Sequence, residues 1–394
     1  MLLLNISPIY LKFGVLLEES ESLNKEFEYY KDKFKYINPG FNINYKMFKI
    51  FLFQINYFKF DDFVKSPDFE FLSKLNILRE SILEEKQKEE IEKNLLNNKD
   101  SNIILKSPIL KNNEIQSCYY SGNLTGKIEY SIYKLFHRKC EKYGDTIKLS
   151  ISAIDYLNNN IENTFFDLPK GSINDLVIIG KSKNENTILT NNNKNKINLK
   201  DNLYPYLMTN GYHGLELYRI DSINSYKKIG YNTLGPTSLW SLFNLTCNYD
   251  DVELALKQAR EGNNELIDLS VGDIYGGDYG GASLCSELIA SSFSKVSNLE
   301  DINKLDKKDI GKALLIFYGV TYAQVAAMIS DKEKIEKNII LGDTFDSLEL
   351  KQMIQSCQEA FTGNKIRAIF NEYSNYIEII GMVVDLDKDG LLKI

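Results

Sequence analysis

At 394 residues the chain is long enough for two cores, and its 43% hydrophobic and 26% charged content fits a globular protein, not a disordered or fibrous one. A formal net charge of -7 argues against a general binder of nucleic acid or anionic membrane, and the lysine clusters alternate with Asn and Glu as on a solvated face. Cys118, Cys140, Cys247, Cys285 and Cys357 include no CxxC pair and are odd in number, which excludes a simple disulfide framework and points to reduced thiols in the cytoplasm.

Residues 1–17 are apolar but interrupted by Asn5, Pro8 and Lys12, without a basic leader or a small-residue cleavage site, so no signal peptide is expected. Residues 2–6 and 9–17 read as strands around a turn at Ser7-Pro8, and 46–60 as one or two more. The charged, breaker-poor stretch 72–96 reads as a helix, 97–113 as polar loop, and 128–143 as helical. Between 181 and 200 the Asn- and Lys-rich runs show no hydrophobic period and read as a surface insertion or linker. The pattern then sharpens. Residues 204–209, 215–220 and 226–231 are short strands, with Asn210-Gly211 and residues 221–225 supplying turns. Helices follow at 236–245, 251–260, 308–329 and 347–360, with a short buried strand at 339–341, and 366–370 and 377–384 close the chain. No apolar run is read as a membrane span.

The most informative stretch is Val271-Gly272-Asp273-Ile274-Tyr275-Gly276-Gly277-Asp278-Tyr279, followed by Ala290-Ser291-Ser292-Phe293. A lone Gly-Gly carries little; two glycines flanked by paired Asp and Tyr, with a second block at a set spacing, carry much more. These blocks resemble the D-I-Y-G-G-D-Y…A-S-S-F-G signature of eukaryotic-type (type II) pantothenate kinases, a resemblance strongest from about residue 204 onward. It implies an α/β chain with the two-domain actin-like ATPase / sugar-kinase (ASKHA) fold, which binds nucleotide between its domains. The strand-strand-strand-helix units, one near each half, suit that fold; alone they support only two-domain α/β. The expected domains are 1–200, with low-complexity insertions, and 201–394, carrying the signature and a dimer interface.

Against the family pattern, the phosphate loops are altered. Where members carry D-I-G-G-T-x-x-K, this chain reads Asn5-Ile6-Ser7-Pro8-Ile9-Tyr10-Leu11-Lys12: a charge that helps hold magnesium is lost, and Pro8 has no N–H for phosphate. For N-I-G-S-G-V-S it has Asn210-Gly211-Tyr212-His213-Gly214-Leu215-Glu216, which keeps Gly214 but adds bulk and a carboxylate; His213 reads as an exposed turn residue. For S-L-G-G-G-T it has Thr233-Leu234-Gly235-Pro236-Thr237-Ser238. Lys228 stands where the family has an Arg that pairs with the pantothenate carboxylate; it keeps the charge without the bidentate fork. Tyr322 replaces a further family glycine. The T-G-G-G-A-Y-K-F-E run that carries the family's catalytic Glu has no counterpart near His137 and Glu141, so no catalytic base is assigned. Asp385-Leu386-Asp387-Lys388-Asp389-Gly390 copies half an EF-hand loop and reads as a charged turn, and no metal site is assigned.

In the resembled kinases the signature lies at the subunit interface and reaches into the neighbour's pantothenate pocket. By that analogy Asp273, Tyr275, Gly276, Gly277, Asp278, Tyr279, Ile289, Ala290 and Phe361 face a partner's pocket, while Asn5, Lys12, Gly214, Lys228, Gly235 and Thr237 remain from degenerate nucleotide and substrate loops. A turn alone does not require both Asp and both Tyr. The resemblance thus implies a catalytically impaired subunit, a pseudokinase, pairing with an active paralogue in a heterodimer. That complex would use ATP and Mg2+ to phosphorylate pantothenate in coenzyme A biosynthesis. Two alternatives stay open: an active ATP-dependent pantothenate kinase in its own right, and a non-catalytic interaction protein on the same fold. Neither nucleic acid nor membrane is an expected partner.

Overall fold

The computed structural model describes residues 2–6, 10–18, 37–45, 48–56, 118–122, 141–169, 194–211, 214–249, 252–282, 284–300, 302–342 and 348–391. Two compact units emerge: Met1–Tyr156 with Tyr376–Ile394, and Leu157–Asn375. The expected division at 200/201 differs from this on two counts. The chain leaves the first unit inside helix α1 (Thr146–Asn160), and it returns for its last helix, which packs on the first strand.

The first unit holds a sheet of β1 (Leu2–Ile6), β2 (Tyr10–Glu18), β3 (Ile37–Tyr45), β4 (Phe48–Asn56), β5 (Cys118–Gly122) and β6 (Glu141–Lys142), in the order β3-β4-β2-β1-β5-β6. β3 contains Pro39-Gly40, which reads locally as a turn. It survives as an edge strand because the register shifts between Pro39 and Asn42, a bulge that tolerates the missing N–H. Glu141 and Lys142, expected in a helix, pair with β5 instead. The expected helix at 72–96, the loop at 97–113 and the turn at Ser7-Pro8 lie outside the described residues.

In the second unit β7 (Phe165–Asp167), β8 (Asn195–Ile197), β9 (Tyr206–Gly211), β10 (Leu215–Ser222), β11 (Ser225–Asn232), β14 (Lys337–Leu341) and β15 (Arg367–Asn371) form a sheet ordered β11-β10-β9-β14-β15-β7-β8. A separate ribbon pairs β12 (Leu269–Ser270) with β13 (Ile289–Ser291). The two large sheets share one plan. Three antiparallel neighbours (β1-β2-β4 in the first, the meander β9-β10-β11 in the second) have their first strand extended on the other side by two parallel strands (β5-β6, then β14-β15). The strands of the strand-strand-strand-helix unit expected in each half are thus present twice; its helix follows directly in the second unit, and the one expected in the first lies outside the described residues.

Helices α2 (Pro236–Cys247), α3 (Val252–Arg260), α5 (Lys307–Glu333) and α6 (Leu348–Thr362) belong to the second unit, with a short α4 (Val271–Tyr275); α7 (Ile377–Lys388) ends the first. α5 is long and apolar enough to cross a membrane, unlike anything expected from the sequence. Here 56% of its apolar window is buried against α2, α3 and α6, so in this fold it is a core helix. Its Tyr318 and Tyr322 join Phe243, Leu217, Ile340, Ile354 and Phe370 in one buried cluster. Lys194 and Lys196, expected in a surface insertion, instead lie just before β8 and within it. There the Lys194 ammonium lies 4.4 Å from the Phe166 ring centre, and both lysines bond Glu372 at 2.6 Å. Such partners, far away in sequence, stabilise a strand whose local composition reads as loop.

Candidate functional site

The signature segment is built on capping chemistry. Ser270 ends β12 in an extended conformation and caps α4: its Oγ accepts from the Asp273 N–H at 3.0 Å, and Asp273 Oδ2 accepts from the Ser270 N–H at 2.8 Å. The same carboxylate bonds Lys295 at 2.6 Å. The Lys295 ammonium, then the Ser270 N–H, hold the Asp273 carboxyl down at about 2. Gly276 ends α4 at φ +76, where a side chain would be strained, and its N–H donates to Gly272 O at 2.8 Å. Asp278 Oδ1 accepts from the Ser286 N–H at 2.7 Å, and Tyr279 and Leu284 exchange two backbone hydrogen bonds across the turn.

Sequence reasoning missed Asp268 and Lys295, because nothing local marks them. Asp268 is fully buried, accepts from the Phe293 N–H at 2.8 Å and from Asn264 Nδ2 at 2.6 Å, and so holds Phe293 at φ +61. Burial pushes its carboxyl above the usual range. Asp273 and Asp278 are both exposed and also bond within the chain, at a helix cap and across a turn, and Gly276 ends the helix. Outward stand Tyr275, 57% exposed, and Tyr279, 41% exposed, stacked at 4.4 Å with 22° between their planes. Gly277 has no atom within 4 Å of where its side chain would start, so its own fold does not require glycine. Ile289 packs partly on the core, Ala290 is exposed, and Phe361 stands 47% exposed on α6.

The second group of residues lies on the meander and at the start of α2. Asn210, next to last in β9, has its Oδ1 buried and without a hydrogen-bond partner among the described residues. Gly342, at φ +132 after β14, lies against Gly211; a Cβ there would stand 2.4 Å from Gly211 O. Gly214 is held to glycine by a backbone neighbour too, Asn232 O at 2.7 Å. Tyr212 and His213 lie outside the described residues. Lys228 on β11 is ion-paired with Glu216 on β10, which also accepts from the Tyr218 hydroxyl at 3.0 Å. The same ammonium stands 4.8 Å from the centre of the Tyr231 ring.

Gly235 caps α2 in extended backbone, Pro236 occupies its first turn, and Thr237 is exposed. Ser238 closes this end on itself, its Oγ donating to Thr233 O at 3.1 Å. Tyr322, expected from the sequence to replace a family glycine, is buried in the core, and burial raises its phenol well above the usual range. In the first unit Asn5 faces Lys12 across β1 and β2, and Lys12 is fully buried; Glu141 is exposed on β6. The half EF-hand run falls on the last turns of α7 and the turn after it. His137 lies outside the described residues.

The family profile described as Fumble matches residues 62–385 of this chain. Pantothenate kinase of Schizosaccharomyces pombe is 26% identical over 183 residues, 45% of each chain. Pantothenate kinase 2 of Arabidopsis thaliana is 26% identical over 195 residues, 48% of this chain and 22% of that one, and pantothenate kinase 1 of the same plant 27% over 184 residues, 46% and 48%. The match thus spans less than half the length of these curated relatives. Among solved structures, glucokinase from Balamuthia mandrillaris in complex with glucose aligns with TM-score 0.41 at 10% identity, over 97% of this chain and 92% of that one. Bacillus thuringiensis ParM aligns with TM-score 0.25 at 11% identity, over 64% and 54%. Those structural likenesses are too weak to argue from. The profile is not: this chain belongs to the Fumble family, the eukaryotic-type pantothenate kinases, and with its repeated sheet plan it has the actin-like ATPase / sugar-kinase fold class.

Proposed function

We propose that this chain is a catalytically impaired pantothenate-kinase subunit that pairs with an active relative and lends it the Tyr275–Tyr279 face. The observation that carries the reading is the contrast around those rings. Asp268, Asp273, Asp278 and Lys295 lock the segment from within, so the exposed stack is presented in one geometry. Tyrosine offers large apolar area and a hydroxyl at low entropic cost, which suits the rim of another subunit's substrate pocket.

The chain's own residues do not fit a nucleotide cradle. Pro236 brings no N–H to the first turn of α2, and Ser238 folds back onto Thr233. The Lys228 ammonium, at the position of the family's carboxylate-binding Arg, is already covered by Glu216. Tyr322 fills the core where a family loop carries glycine. ATP with Mg2+ would therefore be held by the partner, which would transfer the γ-phosphate to pantothenate in the cytoplasm.

The test is to measure pantothenate phosphorylation by an intact family member alone and mixed with this chain. The mixture should form a heterodimer and be more active than either component, and Tyr279→Ala should remove that gain without unfolding the chain. A mixture that neither associates nor changes the partner's rate sinks the reading. A second reading, that the chain is itself a pantothenate kinase, draws support from the buried Lys12 and from Asn210 and Gly342 near the ends of β9 and β14. Saturable Mg-ATP binding and turnover by the purified chain would favour it.

A further inference from the structure

We infer that a cavity between the end of α1 and the paired strands β7 and β8 is a binding site for a small neutral polyhydroxylated molecule, of the size of a pentose. The cavity has a volume of about 170 Å3 and lies wholly within the second unit. At roughly 30 Å3 per water it has room for five or so water volumes. Its polar lining is Asn158, Asn163, Thr164 and Asn198, with Glu162 and Lys200 exposed at its rim.

Three features select the ligand class. Thr164 Oγ1 is buried with no hydrogen-bond partner among the described residues, although the Thr164 backbone is fixed by accepting the Glu372 N–H at 2.9 Å. A buried hydroxyl without a partner is costly, and a ligand hydroxyl would satisfy it. Asn198 uses its Oδ1 on the Lys200 N–H at 2.9 Å, which leaves its amide N–H groups as donors. The last turn of α1 supplies carbonyl acceptors and the negative end of a helix dipole. Acceptors, amides and a hydroxyl, with one charge of each sign at the rim, fit hydroxyl groups and disfavour an anion. The location fits as well. Phe165, in the lining, pairs with Asn371, the last residue of β15, so the cavity opens at the carboxyl edge of that parallel strand, where α/β sheets hold ligands.

The test uses the full chain and D-ribose as probe, with acetate and inorganic phosphate as charged probes, read by calorimetric titration and by thermal unfolding. D-ribose should bind saturably at millimolar concentration and acetate and phosphate should not. Thr164→Val and Asn198→Ala, the second in an exposed loop where the fold is secure, should each weaken ribose about tenfold, the worth of one hydrogen bond. Unliganded Thr164→Val should melt at the same temperature as the parent or higher, because it removes an unsatisfied hydroxyl. Several results overturn the assignment: no saturation by ribose, equal binding of the charged probes, ribose affinity untouched by both substitutions, or a Thr164→Val chain that melts lower without ligand, the mark of a hydroxyl committed to trapped water.

Discussion

The signature segment and the β9–β10–β11 meander belong to one unit and both turn their polar groups on the chain itself, but they leave different surfaces exposed. Around the signature, acids bond the chain's own backbone and Lys295, and two stacked tyrosines stand exposed. On the meander and at α2, the cation and the hydroxyl are turned on neighbours within the chain, Lys228 on Glu216 and Ser238 on Thr233, so that little is offered to a ligand. Under the proposed function, the contrast teaches that a motif's use is read less from which residues remain than from what their internal bonds leave exposed: a tyrosine pair in one region, a covered cation in the other.

The largest effect should come from the frame that both regions share. Gly342→Val would drive a side chain into Gly211 O at a φ of +132, and strain plus overlap should cost roughly 3–5 kcal/mol in denaturant unfolding. Gly277→Ala, with open space around it, should leave stability within about 0.5 kcal/mol. It should still reduce the gain in the partner's activity, if the partner contacts that backbone. Equal destabilisation by both would erase the distinction between a fold glycine and a surface glycine. Next, Glu216→Gln should uncover Lys228 and raise pantothenate binding by the isolated chain about tenfold, with Lys228→Ala as the control that does not. An unchanged affinity in calorimetric titration would mean that the ion pair is not what closes this region. A smaller change is expected for Ser270→Ala, which removes the cap of α4 and should cost about 1 kcal/mol while lowering hydrogen-exchange protection from Ser270 to Gly276.

The meander and the helices from α2 onward were legible because alternation, turn residues and helical spacing are local signals. β9, β10 and β11 fall within two residues of their expected ends. β7 and β8 were not legible. Each has three residues, and β8 sits in an Asn/Lys run whose strand character rests on Glu372 and Phe166, distant in sequence. α7 was visible as a segment, but nothing local says that it returns to the first unit. At the site, the D-I-Y-G-G-D-Y run stood out at once; its division of labour did not. That Asp273 meets Lys295, that Asp278 meets the Ser286 N–H, and that Asp268 fixes Phe293 are tertiary facts. The Glu216–Lys228 pair is different in kind. The two residues face one another across a hairpin, and opposite charges so placed can be sought from strand register alone.

The finest test reads the signature through its own titration. Asp273 has a folded pKa of about 2 against an ordinary value of 3.8, so its pairing stabilises the folded state above the ordinary value and is lost as pH falls through the folded one. Thermal unfolding of the parent and of Asp273→Asn should therefore differ by a constant amount from neutral pH down to about pH 5, and the two curves should converge between about pH 4 and pH 2. The loss should be local. Cys285 lies half-exposed beside the Tyr279–Leu284 bridge, whereas Cys247 and Cys357 are buried and burial raises both of those thiols, Cys357 to about 12. Of these three, Cys285 should accordingly be the first alkylated at neutral pH, as followed by peptide mapping of that residue. Asp273→Asn should speed that reaction, and an associated partner should slow it. If Cys285 reacts at one rate in the parent, in Asp273→Asn and in the mixture, then the acid does not hold the segment still and the stacked tyrosines do not meet a partner there, and the contrast between the two regions loses its functional meaning.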